Sequence, residues 1–185
     1  MFNILVKSIL TLLSADFLTG IVHWWEDAYG NPNWKFLGKA VIQPNLEHHN
    51  KPRAFLKSSY WSCINTSLGL GLILILLCLL FSILNWYTFF CIAIAIHGNE
   101  IHRFAHQTDR ENGKLICFLQ RLGILQSRKH HGWHHKAPYE CNYCIVTNYL
   151  NPILSMLDFW SKLEWTVFHL TGIKVLRGSA VRKGL

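Results

Sequence analysis

The chain has 185 residues, of which 51% are hydrophobic and eight are tryptophan. This composition excludes an ordinary soluble domain, because such a chain would have too little polar surface, and it favours a core that lies partly in lipid. The net charge of +8 would suit a nucleic acid, an anionic membrane surface or an acidic partner. Nucleic-acid binding would leave the apolar segments unexplained, so we expect no nucleic-acid partner.

Three apolar segments predict an all-α, multi-pass integral membrane protein with three to four spanning helices. Residues 4–22 predict the first span, and the bulky residues that follow it are unlike a signal-peptide cleavage site. Residues 63–84 carry no charge and are long enough to cross a hydrocarbon core of about 30 Å. Residues 86–101 predict a returning span that continues as a helix to about His106.

The remaining segments predict structure outside the hydrocarbon. Residues 30–57 contain scattered glycine, proline and charge, and they predict a connecting segment. Residues 102–170 predict a histidine-rich helical cap, in which residues 114–126 and 149–170 form interfacial helices. We therefore expect residues 1–185 to form a single domain.

The positions of lysine and arginine predict the orientation. Of the 18 basic residues, only Lys7 belongs to the first span, whereas five lie in residues 31–57 and twelve follow His97. If the spans alternate, the two basic regions share one side, which the positive-inside rule makes cytoplasmic. The six cysteines form no disulfide framework, in agreement with a reducing compartment. Tryptophans 24, 25, 61 and 86 are predicted to be interface anchors.

Eleven histidines are the most unusual feature of the composition. His23 and Asp27, like His102 and His106, stand four residues apart and would share a helix face. A pair of adjacent histidines precedes Pro52, and an H-x-x-H-H motif begins at residue 131. The predicted topology brings these motifs to the cytoplasmic side, where they can form one site from His23, His48, His49, His102, His106, His131, His134 and His135.

So many imidazoles exceed the four ligands of one zinc ion and predict two metal ions, in a site suited to oxygen activation. Asp27 could be a ligand, a helix-end charge or, as we favour, the acceptor that orients His23. Glu47 and Glu100 could act as acceptors in the same way. His130 lies beside the motif and has no assigned role, whereas His97 and His169 are predicted to be ordinary interfacial side chains.

A zinc site is an alternative interpretation of the last histidine motif and the cysteines that follow it. Cys141 and Cys144 match C-x2-C and could bind zinc together with His134 and His135. This alternative has no second cysteine pair and leaves six histidines unexplained, so we favour the larger site.

Several motifs along the chain resemble the lipid desaturase family, which includes plasmanylethanolamine desaturases (Kua), the bacterial CarF proteins and the plant plastid desaturase of phosphatidylglycerol. The resemblance covers nearly the whole chain. It rests on Gly20-Ile21-Val22-His23-Trp24, Asp27, Gly30, Gly38-Lys39, Glu47-His48-His49, Pro52, Ile101–His106, Leu119-Gln120, Ser127-Arg128, His131, His134-His135, Ala137-Pro138-Tyr139 and Asn142–Val146.

The resemblance implies that the eight histidines named above hold two iron ions. It also implies molecular oxygen, an external electron donor such as cytochrome b5 or a ferredoxin, and a phospholipid substrate desaturated near its glycerol. Cys144 would then be structural. Tyr139 stands where animal members carry a histidine, so an ether-linked alkyl chain and an ester-linked acyl chain both remain as substrates. A lipid hydroxylase and a non-catalytic metal-binding regulator are the alternative functions.

Overall fold

The computed structural model describes residues 2–177, and within this range all regular structure is helical. A π-helical turn at Gly38–Ile42 and a 3₁₀ turn at Ala54–Lys57 lie in the segment between the first and third helices. The all-α prediction is therefore confirmed for these residues. The α-helices are α1 (Phe2–Tyr29), α2 (Gln43–Asn50), α3 (Tyr60–Leu80), α4 (Trp86–Ile96), α5 (Gly98–His106), α6 (Asp109–Arg121), α7 (Arg128–His134), α8 (Leu150–Met156) and α9 (Phe159–Thr171).

Two helices are long and apolar enough to cross a membrane. They are Asn3–Tyr29 within α1 and Tyr60–Leu80, with mean hydropathies of 1.7 and 2.4. Most of their side chains are not covered by the rest of the protein; Leu76, for example, is 64% exposed. Apolar side chains that no other element covers are expected where a helix faces lipid. The first two predicted spans thus coincide with these helices, although α1 extends seven residues beyond the predicted end at residue 22.

The third predicted span is not one continuous helix. Helix α4 has 11 residues, which cover about 16 Å, or roughly half of a hydrocarbon core. It ends where the backbone N–H of His97 turns toward the carbonyl oxygens of Ala93 and Ala95. Gly98 then begins α5, and a Cβ atom at this position would lie only 2.9 Å from Cγ2 of Thr19. The prediction of an unbroken helix to His106 is wrong here, because the helix breaks at His97 and α5 packs against α3 and α7.

Helices α1, α3 and α4 each have one end on the same side of the protein. Lys7 lies 5.2 Å from the ring centroid of Tyr87, so α1 and α4 begin at the same end. Helix α3 runs in the opposite direction, since its first residue, Tyr60, contacts His97 at the end of α4 through a 2.8 Å hydrogen bond. The end of α1, the start of α3 and the α4–α5 junction therefore meet on one side.

A buried segment, residues 143–147, follows the cap helices and lies against α1. The carboxylate of Asp16 accepts hydrogen bonds from the backbone N–H groups of Val146 (2.7 Å) and Thr147 (3.1 Å), and from the Thr147 hydroxyl (2.6 Å). A buried carboxylate within an apolar helix is stable only with such partners. Asp16 thus fixes the position of this segment.

Trp24 is a core residue rather than an interface anchor. It is buried, its ring stacks on Trp160, and its indole N–H donates to Glu164 over 2.9 Å. Trp61 and Trp86 are exposed, as interface anchors would be. No local pattern separates Trp24 from these tryptophans, because all of them flank apolar segments.

Candidate metal centre

Nine side chains converge into two neighbouring groups at the end of the helices where α1, α3 and the α4–α5 junction meet. In each group the potential ligand atoms lie within 4.8 Å of one another. All eight predicted histidines belong to these groups, and their role as ligands stays a prediction. The five-histidine group is His48, His102, His106, His131 and His135; the mixed group is His23, Asp27, His49 and His134.

Helix geometry explains which residues share a group. Side chains four residues apart lie on the same helix face, whereas adjacent side chains point about 100° apart. The pairs His23–Asp27, His102–His106 and His131–His135 accordingly each stay within one group. The adjacent pairs divide: one member of His48-His49, and one of His134-His135, enters each group.

Four Nε2 atoms of the five-histidine group are crowded together. The Nε2 atom of His131 lies 2.7 Å from that of His102, 3.1 Å from that of His106 and 2.9 Å from that of His135. A neutral imidazole has one N–H donor, so this cluster cannot be satisfied by hydrogen bonds among its members alone. Nitrogen ligands about 2.1 Å from a shared metal ion, at right angles to one another, lie about 3 Å apart. The arrangement therefore fits a metal ion.

Burial keeps the imidazoles of this group in the neutral form that binds metals. Desolvation, reinforced by neighbouring histidines, holds the pKa values of His48, His102 and His131 well below the usual 6.5. The same desolvation lowers the pKa of His106 to about 4. At neutral pH these four side chains have a lone pair available and carry no charge that would repel a cation.

The mixed group surrounds the carboxylate of Asp27. The carboxylate oxygens lie 3.2 Å from Nε2 of His49, 3.3 Å from Nε2 of His134 and 3.8 Å from Nε2 of His23. Asn45 donates to the same carboxylate over 2.8 Å and orients it. One carboxylate and three imidazoles form a donor set that suits a divalent transition metal.

Backbone carbonyl groups orient the histidine rings from outside. The Nδ1 atom of His23 donates to the carbonyl oxygen of Tyr143 (3.1 Å), and Nδ1 of His134 donates to that of Cys141 (2.8 Å). These hydrogen bonds leave Nε2 unprotonated and facing inward, as metal-bound histidines require. The carbonyl group of Tyr143, rather than Asp27, is thus the partner of His23 Nδ1. The carboxylate of Asp27 lies on the Nε2 side of the ring, and its role stays a prediction.

An apolar cavity of about 690 Å³ extends from the metal-binding groups. His23, His48 and His102 line it at one end, and residues of α3 and α4, among them Leu74 and Ile92, line it elsewhere. It therefore connects the centre with the helices that face lipid. Apolar pockets with a few polar groups are typical of sites for small molecules and lipid chains.

Residues 12–177 match the family model described as the lipid desaturase domain. The chain belongs to the lipid desaturase family. The resemblance seen in the sequence motifs is thereby confirmed. No solved structure matches the chain.

Relatives of this chain come from distant sources. A probable fatty acid desaturase of Acanthamoeba polyphaga mimivirus is 36% identical over 170 residues, which cover 91% of this chain and 84% of that protein. Mouse plasmanylethanolamine desaturase 1 is 35% identical over 88% of this chain and 64% of its own. The plasmanylethanolamine desaturase of Myxococcus xanthus is 32% identical over 89% of this chain and 60% of its own. The chain thus spans slightly less than two thirds of the last two relatives.

The other three histidines of the chain lie outside both groups. His130 is half-buried and contacts Asn151, 3.3 Å away. His97 and His169 are exposed, and each donates from Nδ1 to a carbonyl oxygen of its own helix. Two carboxylates considered as acceptors lie elsewhere too: Glu47 is exposed and binds Gln43, and Glu100 pairs with Arg103.

No cysteine belongs to either metal-binding group in the described part of the chain. Cys144 is buried in an apolar cluster with Trp24 and Tyr143, and burial raises the pKa of its thiol. Cys141 meets His134 through its backbone carbonyl oxygen rather than its thiol. The structure therefore gives no support to the zinc alternative.

Asp16, Gln126 and Asn151 are the residues that sequence reasoning missed. Asp16 holds the backbone of residues 146–147, while Gln126 and Asn151 each donate to the carbonyl oxygen of Cys144 over 2.7 Å. One signal was available for Asp16, because a charged residue in the middle of an apolar span marks a paired or functional position.

Proposed function

We propose that this protein is a membrane di-iron lipid desaturase that introduces a double bond near the glycerol of a phospholipid alkyl or acyl chain. The observation that carries the proposal is the apolar cavity that ends at His23, His48 and His102, members of both metal-binding groups. A cavity of about 690 Å³ has room for a long hydrocarbon chain, and its position brings that chain to the histidines.

The chain's donors fit two metal ions. The five-histidine group would hold one and the mixed group the other, with Asp27 as the carboxylate ligand. Iron bound there would supply the oxygen-dependent redox chemistry that breaks unactivated C–H bonds. The family supports iron rather than zinc. The overall reaction converts –CH2–CH2– plus O2, two electrons and two protons into –CH=CH– plus two water molecules.

The remaining residues of the site would bind and position the substrate. Helices α3 and α4 provide the apolar wall, which excludes water from the chain. Phe55 and Ser58 line the cavity, and the exposed Lys57 directly precedes Ser58 in the chain, so its ammonium group would bind the phosphate of the head group. A head group held there would leave the first carbons of the chain beside the histidines.

Both substrate classes named by the relatives would need the first carbons of the chain to lie beside the histidines. The mouse and Myxococcus xanthus proteins are named for an ether phospholipid, and the viral protein for fatty acids. In each class the C–H bonds nearest the glycerol lie at head-group depth. We favour a plasmanylethanolamine desaturase-like reaction, and the product test below covers both classes.

We further propose that the whole chain, residues 1–185, forms one domain that crosses the membrane more than once. Residues 86–101 would complete a third crossing after α1 and α3, in spite of the break at His97. The metal centre and the cap from His102 onward would then face the cytoplasm, where most basic residues lie. An external carrier such as cytochrome b5 or a ferredoxin would deliver the electrons.

The proposal is tested with the full chain purified in detergent. We expect about two iron ions per chain, oxygen consumption with a reduced carrier, and a new double bond in added plasmanylethanolamine or diacyl phospholipid. His102→Ala and His134→Ala each remove one residue from a different group and are expected to abolish the product. His169→Ala is the matched control, because His169 is exposed, bonds within its own helix and lies outside both groups.

Each other outcome contradicts a defined part of the proposal. An added oxygen atom in place of the double bond would indicate a hydroxylase. Bound iron without oxygen consumption would indicate a non-catalytic regulator. Full activity of either His→Ala variant would overturn the ligand assignment.

A further inference from the structure

Helix α7 has two chemically different faces. One carries His131 and His134 into the metal-binding groups. The opposite side, together with α6, lines a second cavity of about 760 Å³. We call this cavity the basic pocket and define it by five of its exposed lining residues: Arg121, Arg128, Lys129, Trp133 and Lys136.

The charge of the basic pocket is not neutralised by the fold. Within residues 2–177, none of its four cations forms an ion pair, and Asp109 is the one carboxylate that lines it. Trp133 is 52% exposed, and the ammonium group of Lys136 lies 3.7 Å from its ring centroid. Exposed aromatic and cationic side chains in a concave surface are typical of protein interfaces.

The basic pocket lies close to the metal centre. An α-helix with its side chains is about 10–12 Å across, so a molecule seated in the pocket is separated from the ligand nitrogens by roughly the width of α7. His131 directly precedes Gly132 and Trp133, which line the pocket. None of the pocket's lining residues lines the apolar cavity, so a molecule bound here does not obstruct the substrate.

The proposed desaturation, on which this inference rests, needs electrons from another molecule. Reduction of O2 to two water molecules takes four electrons, and the two C–H bonds supply two of them. The other two have to come from a carrier that delivers them one at a time. Carrier complexes of this kind have small, charged interfaces, because both partners must separate after each transfer.

We propose that the basic pocket is the docking surface for an acidic one-electron carrier protein, which passes its electrons across α7 to the metal centre. Its four unpaired cations attract an acidic surface and speed the encounter. The exposed ring of Trp133 gives the contact an apolar anchor. Anionic lipid head groups are the competing occupant, but the pocket is concave and shares no lining residue with the apolar cavity.

The test measures electron delivery in iron-loaded full-length protein held in phosphatidylcholine nanodiscs. The probes are the soluble domain of cytochrome b5 and a plant-type ferredoxin, whose oxidation is followed by stopped-flow absorbance. In Lys129→Glu/Lys136→Glu we expect oxidation about tenfold slower at low salt, with a weaker dependence on ionic strength. Reduction by dithionite, which needs no docking, is expected to be unchanged. Lys35→Glu, outside the pocket, is the control for an added negative charge.

Two results would overturn the docking proposal. One is carrier oxidation by the double variant at the parent's rate with both probes. The other is a loss that occurs only when the nanodiscs contain phosphatidylserine, since this would assign the pocket to lipid head groups. A failure of the proposed function gives a different result: dithionite-reduced parent protein exposed to O2 and phospholipid would form no double bond, whether or not carrier oxidation depends on the pocket.

Discussion

The Nδ1 atom of His23 lies 3.1 Å from the backbone carbonyl oxygen of Tyr143, 120 residues later in the chain. Two residues before Tyr143, the carbonyl oxygen of Cys141 accepts from His134. Both histidines belong to the mixed group, so one irregular segment orients two of its imidazoles. That segment is held to α1 by Asp16. We therefore expect the mixed group to depend on a carboxylate that touches none of its members.

The first prediction concerns this anchor. Asp16→Asn replaces one carboxylate oxygen with an NH2 group that faces backbone N–H donors, so at least one charge-assisted hydrogen bond is lost. We expect about 2 kcal/mol of lost stability, seen as a melting temperature about 4–8 °C lower. Iron content is expected to fall as well, because His23 and His134 lose their fixed orientation.

Asp158→Asn is the control for this substitution. Asp158 is exposed and has a φ of 47°, a conformation that asparagine tolerates as well as aspartate. Differential scanning calorimetry and elemental analysis measure both variants. An Asp16→Asn protein with the stability and iron content of the parent would show that residues 146–147 do not need this anchor.

The second prediction separates the two groups. Asp27→Asn removes the carboxylate of the mixed group and leaves the five-histidine group intact. Because an anionic ligand is lost, we expect metal affinity at the mixed group to fall by at least about 100-fold. Iron content should drop from about two to about one per chain, and desaturation should be abolished.

Glu47→Gln is the matched control for Asp27→Asn, since Glu47 lies beside His48 but is exposed and contacts Gln43. Elemental analysis of the purified variants is the measurement. Two iron ions per chain in Asp27→Asn would show that the carboxylate is not a ligand.

The spacing of the histidines along the sequence predicted much of the site, and contacts between distant parts of the chain determined the rest. Residues four apart on a helix share a face, so the pairs His102–His106 and His131–His135 could be assigned from sequence alone. The position of His48-His49 could not, because residues 30–57 showed glycine, proline and charge rather than helical periodicity. Helix α2 forms there and directs one histidine into each group. Its stability comes from contacts with distant residues, such as the hydrogen bond from Asn45 to Asp27.

The spanning helices, too, were predicted only where the signal is local. Apolarity predicted α3 well, but the helix ends at Leu80 rather than at the predicted residue 84. Residues 81–85 instead form a turn, in which Ser82 has a φ of 54° and Asn85 caps α4. The break at His97 had no such local signal. Beside the break, Gly98 lies against Thr19 of α1, and a single-sequence pattern contains no information on that contact.

The third prediction is a dependence of stability on pH in the metal-free protein. The folded pKa of His106 is about 4, below the usual 6.5 of an unfolded chain, because burial disfavours the charged ring. Between these values the unfolded chain binds more protons than the folded one. The contribution of His106 to stability is therefore complete above pH 6.5 and is lost as the pH falls through 4. His48, His102 and His131 act in the same direction.

Thermal unfolding at pH 7, 6 and 5 measures this dependence. The parent should become steadily less stable, and His106→Asn should show a slope smaller by up to about one proton. The exposed His169→Asn variant is expected to keep the parent's slope. Stability that does not change over this range would contradict the buried, neutral state of the histidines.

The fourth prediction tests the path of the lipid chain. Leu74 and Leu76 both lie on α3, but Leu74 lines the apolar cavity, whereas Leu76 is 64% exposed on the outside of the helix. A tryptophan at position 74 would occupy part of the cavity and obstruct the far end of a long chain. We expect Leu74→Trp to lower kcat/KM for phospholipids with 18-carbon chains by about tenfold or more, at a cost of about 1–3 kcal/mol for overpacking.

Two comparisons, one with shorter lipid chains and one with a matched variant, test whether the loss comes from an obstructed cavity. With shorter chains, which do not reach position 74, Leu74→Trp should regain activity close to that of the parent, and its iron content should be unchanged throughout. Leu76→Trp adds the same side chain on the lipid-facing side and is expected to affect no substrate. Product analysis by mass spectrometry over a series of chain lengths gives both comparisons. Equal losses for short and long chains would mean that the substituted helix is damaged, and unchanged activity with every chain would place the substrate outside this cavity.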